Sequence, residues 1–71
     1  MEDYVIADLA MEMQSFIAVS DELLEKARKS KVTLKNSSAF AKLVREWGRG
    51  YYDNDPEYVL QWIEAIINKE G

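Results

Sequence analysis

The chain has 71 residues, 48% of them apolar and 31% charged, with a net charge of −4 at pH 7 and neither cysteine nor histidine. That length bounds one domain with a thin core, because chains of this size bury only about 60% of the surface they expose when unfolded. Without Cys and His, disulfides, thiolate zinc sites and the usual nucleophile–base pairs are excluded. No cofactor and no catalytic activity are expected. The apolar content is too high for a disordered tail. No apolar run exceeds four residues, so no segment is expected to span a membrane. The opening Met1-Glu2-Asp3 has neither the basic nor the apolar region of a secretory signal. A cytoplasmic protein of a bacterium, plasmid or phage is the expectation, and a homodimer stays open as a staple for so small a core.

Charge is strongly segregated along the chain. Lys26, Arg28, Lys29, Lys31, Lys35, Lys42, Arg45 and Arg49 are opposed within residues 26–49 only by Glu46, which gives that segment +7. Residues 1–25 carry −7 and residues 50–71 carry −4. A basic middle between two acidic arms suits an anion, a partner, or the chain's own arms.

In chain order, Val5, Leu9, Met13, Phe16 and Ile17 recur at helical spacing and predict a helix from about residue 3 to 18. Ser20-Asp21-Glu22 forms a cap with two acids in the first turn of a second helix. Leu23, Leu24 and Ala27 form its apolar face, and Glu22–Lys26 and Glu25–Lys29 are favourable i, i+4 pairs. The stripes run on in phase, so one bent helix over 3–31 is an alternative. Residues 31–36 read as a connector with Val32 and Leu34 turned inward. Asn36-Ser37-Ser38 caps a third helix marked by Phe40, Leu43, Val44, Trp47 and Tyr51, whose last turn Gly48 and Gly50 weaken. Asp55 as N-cap and Pro56 at the first helical position start a fourth, with a core face of Val59, Leu60, Ile63, Ile66 and Ile67.

Three groupings carry chemistry. Asp53, Asp55 and Glu57 alternate as in a calcium loop, and Glu64 falls at the twelfth position. The sixth position is Tyr58 rather than Gly, and Pro56 begins a helix inside the loop, so a capped turn is the better reading. Lys42, Arg45 and Arg49 share a helix face, with Lys35 just before it. They form a candidate stripe for an anion or nucleic acid, to be weighed against an acidic protein partner and a solvated or internally paired face. Trp47, Tyr51, Tyr52, Tyr58 and Trp62 crowd into a short span. Trp47 and Tyr51 fall on the core stripe. Tyr52 and Trp62 are candidates for a protein interface, where aromatic residues are enriched.

The stretch Phe16-Ile17-Ala18-Val19-Ser20-Asp21-Glu22-Leu23-Leu24-Glu25-Lys26-Ala27 resembles the strand-to-helix junction of ribbon-helix-helix repressors. Residues 36–47 are similar to the family's second helix. The resemblance implies one short strand over 13–19, an intertwined dimer, and paired strands in the DNA major groove, as in an antitoxin or plasmid repressor. The chain departs from that pattern. Its outward set would be Gln14, Phe16 and Ala18, and Phe16 and Ala18 offer no hydrogen bonds to base edges. The turn also lacks the family's usual glycine.

The sequence therefore predicts an all-α bundle of three to four short helices, a non-catalytic module that binds another protein as an accessory, regulator or inhibitor. The alternative is a ribbon-helix-helix-like DNA-binding dimer. A third reading is an acidic decoy for a nucleic-acid site, suggested by the two acidic arms.

Overall fold

A computed structural model describes residues 3–70, so Met1 and Glu2 of the opening segment lie outside the described residues. The protein is a small all-α bundle of four helices: α1 (Ile6–Met13), α2 (Asp21–Lys29), α3 (Ser38–Gly48) and α4 (Pro56–Glu70). There is no strand among the described residues. The nearest approach to one is a single antiparallel bridge between Val5 and Thr33, where Ile6 N–H donates to Val32 O at 3.1 Å and Leu34 N–H to Tyr4 O at 3.1 Å.

The first helix is shorter than its periodicity suggests. It starts after Val5, whose N–H donates to the Asp8 carboxylate at 3.2 Å, and it ends at Met13. Ser15 and Phe16 then donate back three residues, to Glu12 O at 3.1 Å and Met13 O at 2.9 Å. Such bonds tighten and close a last turn. Ser20 is extended, with ψ 147°, so that its hydroxyl can accept from Leu23 N–H. These two boundaries overturn both the helix over 3–18 and the continuous helix over 3–31. They also overturn the ribbon alternative, because residues 13–19 hold a helix end and a turn where that fold needs a strand. The buried face is Ile6, Leu9, Ala10 and Met13, one step round from the expected stripe. Phe16 is 58% exposed.

α2 begins where the sequence places it, at Ser20, and buries Leu24 and Ala27. Lys26 does not pair with Glu22; it reaches α4 and meets Glu64 at 3.6 Å. The Glu25–Lys29 pair forms at 3.8 Å. In the connector Val32 is buried and Leu34 half-buried. Asn36 organises this turn by accepting from Thr33 N–H at 2.8 Å and donating to Lys31 O at 2.7 Å.

α3 is capped by Ser37, whose Oγ accepts from Phe40 N–H at 3.1 Å and donates to the Glu70 carboxylate. The second bond ties the start of α3 to the end of α4 and places a negative charge at the positive end of the α3 dipole. The helix therefore runs antiparallel to α4. Its other end is a Schellman turn: Tyr51 N–H bonds Glu46 O at 3.1 Å, Gly50 N–H bonds Trp47 O at 3.0 Å, and Gly50 has φ +82°. Gly50 thus terminates the helix from outside rather than weakening it. The reversal carries Tyr51 off the core stripe, and it is 63% exposed.

α4 packs against all of α1, α2 and α3. Its Val59, Ile63 and Ile66 are buried with Ile6, Leu9, Met13, Phe40 and Leu43 in one core, against which Leu60 and Ile67 also pack. Each fully buried aliphatic chain contributes roughly 1.5–3 kcal/mol, so the buried faces of α1 and α4 carry much of the fold's stability.

Candidate aromatic groove between α3 and α4

Two antiparallel helices leave a groove along their outer seam, and here it is lined with rings. Ala39, Lys42, Leu43 and Glu46 come from α3, Tyr52 from the loop, and Tyr58 and Trp62 from α4. The open cavity they enclose measures about 340 Å³. Tyr58 and Trp62 stand one turn apart on α4 with ring centroids 6.3 Å apart, edge to face. Tyr52 leans on Tyr58 at 5.0 Å, and Tyr51 on Tyr52 at 6.5 Å. The four rings form one continuous band.

Both residues singled out as interface candidates, Tyr52 and Trp62, line this cavity. Tyr52 is half-buried, and its hydroxyl donates to the Glu46 carboxylate. That hydrogen bond, with burial and the carboxylate's charge, raises the phenol from 10.0 to about 12. The same hydrogen bond holds Tyr52 against α3 at the loop end of the groove. Trp62 and Tyr58 are 42% and 38% exposed. The sequence places Tyr58 in the aromatic cluster but does not mark it as an interface candidate. Its place in the groove depends on the turn after Asp55, which sets the phase of α4.

The basic stripe lies on the adjoining ridge. Lys35, Lys42, Arg45 and Arg49 are all exposed. The ion pairs among the described residues are Lys26–Glu64 and Lys29–Glu25, so the acidic arms do not pair with this stripe at contact distance. Lys42 belongs to both features, since it heads the stripe and lines the cavity. By helical spacing Lys69 falls seven residues after Trp62, on the same face of α4, and it too is exposed. Sequence reading gave Lys69 no role, and the i, i+7 spacing from Trp62 was the available signal.

The other aromatic contacts are structural. Tyr4 stacks on Phe40 at 5.9 Å and Phe16 meets the edge of Trp47 at 5.2 Å. The Glu12 carboxylate accepts from both Tyr4 OH and Trp47 Nε1, at 3.2 Å each. Burial, then the charge of Glu12, holds the Tyr4 phenol far above its ordinary 10.0. Trp47 is half-buried and packs against the core. A second cavity, of about 430 Å³, flanks the opposite side of α4 and is lined in part by Leu23, Leu60, Glu57 and Glu64. Among the described residues no group of three or more acidic side chains is placed to hold a metal ion, and no helix is long and apolar enough to cross a membrane. No protein-family model, curated protein or solved structure matches the chain.

Proposed function

We propose that the protein is a non-catalytic interaction module that docks another protein in the α3–α4 groove. The carrying observation is that Tyr52, Tyr58 and Trp62, from two separate elements, line one open cavity with an apolar floor at Ala39 and Leu43. Trp and Tyr at a partly wetted groove offer large area at small entropy cost and a polar tip for orientation, which is why they dominate binding hot spots. The exposed cations beside the groove add steering rather than bulk affinity. A role as a small accessory, regulator or inhibitor follows, since a domain of this size acts by occupying a surface.

The test is affinity capture from extracts of the source cell with the wild-type chain and with Trp62→Ala, both checked for folding by circular dichroism. The proposal expects a partner held by the wild type and lost by the variant. Identical captures by the two chains, or none by either, would overturn it.

A further inference from the structure

The two grooves that flank α4 differ in charge. In the aromatic groove Lys42 and Glu46 balance. The groove on the α2 side is lined by Glu57 and Glu64 and by no base. The stretches that form its walls, 17–23 and 57–64, hold Asp21, Glu22, Glu57 and Glu64 with neither Lys nor Arg, and all four acidic residues are exposed. Lys26 meets Glu64 at 3.6 Å. Asp21, Glu22 and Glu57 have no cation within ion-pair distance among the described residues. Between the acids the surface is apolar. Ile17, Leu23 and Leu60 pack against the core yet stay half-buried, and Ala18 is exposed at the lip. Helical spacing puts Leu23 and Leu60 on core faces, so this groove is where the bundle leaves core positions uncovered.

We propose that the α2–α4 groove is a second docking surface, separate from the aromatic one, and that it takes a basic amphipathic helix of a partner protein. Apolar anchors of that helix sit against Leu23 and Leu60, and its Lys or Arg side chains face Glu57 and Glu64. Charge complementarity fixes the sign. An acidic occupant brings like charges together, and an uncharged one covers Glu57 without giving it a partner; both are unfavourable. The fold fixes the shape: an extended peptide gains affinity by adding to a sheet edge, and there is no strand among the described residues to supply one. A helix satisfies its own backbone and needs only an apolar face, which the seam of two helices accepts as a further member of the bundle. Glu57 and Glu64 both line the cavity, and their i, i+7 spacing on α4 puts them about 10 Å apart along its axis. Two cations at i and i+7 of a docked helix have the same separation, and the anchors fall between them. The surface does not depend on the α3–α4 groove, and Trp62→Ala separates the two.

The experiment uses the full chain, labelled with nitrogen-15, and synthetic helical peptides of about four turns, at near-physiological salt so that loose surface attraction is screened. One peptide carries Leu anchors with Lys elsewhere. A second has the same anchors with Glu for Lys, and a third has the composition of the first in an order that scatters the anchors. The first peptide is expected to shift the amides of Ala18, Leu23, Glu57 and Gln61 in a saturable way while those of Lys42 and Tyr52 stay in place. Glu57→Gln with Glu64→Gln should weaken it about tenfold. Ala18→Lys, a change at an exposed site that puts bulk and positive charge at the lip, should weaken it at least as much and leave the free spectrum dispersed. Trp62→Ala should leave it unchanged; a loss there would place the peptide in the aromatic groove and overturn the proposal. Equal binding of the scattered peptide would reduce the site to a charged surface without a groove, and preference for the Glu peptide would overturn the sign. Concentration-dependent self-association that Ala18→Lys abolishes would assign the groove to a second copy of the chain instead. No shift with any peptide up to about 1 mM would overturn the proposal outright.

Discussion

Ser37 and Ser20 cap α3 and α2 in the same way, each accepting from a backbone N–H three residues on at 3.1 Å, yet the structure assigns them unequal weight. Ser20 is exposed, so replacing it with alanine lets water satisfy the freed donor, at a cost of about 1 kcal/mol. Ser37 is only 2% exposed. In Ser37→Ala the Phe40 N–H loses its partner in a buried place, which costs about 1–2 kcal/mol. The hydroxyl's bond to Glu70 is lost as well. Because Glu70 is exposed and regains water, that loss adds only about 0.5–1 kcal/mol. The expected total is about 1.5–3 kcal/mol, from a domain whose whole stability is of order 3–5 kcal/mol. Urea unfolding followed by circular dichroism measures it, and an unchanged m-value would show that the unfolding reaction is the same. Glu70→Gln should cost about 0.5–1 kcal/mol in the wild type and close to nothing in the Ser37→Ala background. If Ser37→Ala proves no costlier than Ser20→Ala, or Glu70→Gln costs the same in both backgrounds, the link between the ends of α3 and α4 does not stabilise the fold as described.

Neighbouring residues on α4 should separate folding from binding. Ile63 is fully buried and Trp62 is 42% exposed, so Ile63→Ala should cost about 2–5 kcal/mol and leave much of the chain unfolded, while Trp62→Ala should lower the melting temperature far less; equal damage in a thermal melt would make Trp62 a core residue. Gly48 and Gly50 should respond in opposite directions. A Cβ at Gly48 meets nothing within 4 Å, so Gly48→Ala should stabilise by about 0.5–1 kcal/mol, whereas Gly50→Ala must hold φ +82° and should destabilise by about 1–2 kcal/mol; denaturant midpoints decide. In alkali, Tyr4 has its folded pKa raised above 10.0 by burial and by Glu12. Its stabilising contribution is therefore complete below pH 10 and drains away as pH rises beyond that. Glu12→Gln removes the charge but not the burial, so tyrosinate absorbance should show Tyr4 titrating at lower pH in the variant, and an unchanged titration would exclude the carboxylate as a cause.

Local chemistry made part of this fold legible in sequence. Ser20 with two following acids and Asp55-Pro56 mark the starts of α2 and α4 because caps act through neighbouring atoms alone. The end of α1 was not legible, since Phe16 and Ile17 continue the helical period and no Gly or Pro interrupts it. The turns at Ser15 and Phe16 and the extended cap at Ser20 set that boundary, while the bridge of Val5 to Thr33, a tertiary contact, sets the start of the helix. Tyr51 was misplaced for a similar reason: its spacing from Trp47 is helical, but the Schellman turn at Gly50 intervenes. For the groove, the shared face of Lys42, Arg45 and Arg49 could be read from spacing. That Lys42 also lies beside Tyr58 and Trp62 follows only from the antiparallel packing of α3 on α4, which no local pattern encodes.

The central claim is that Trp62 serves binding rather than folding, and calorimetric titration of the captured partner into the wild type and into Trp62→Ala tests it directly. The account expects binding weakened about 30-fold or more in a variant whose circular dichroism spectrum matches the wild type. Affinities within about twofold of each other would place the docking surface elsewhere on the molecule.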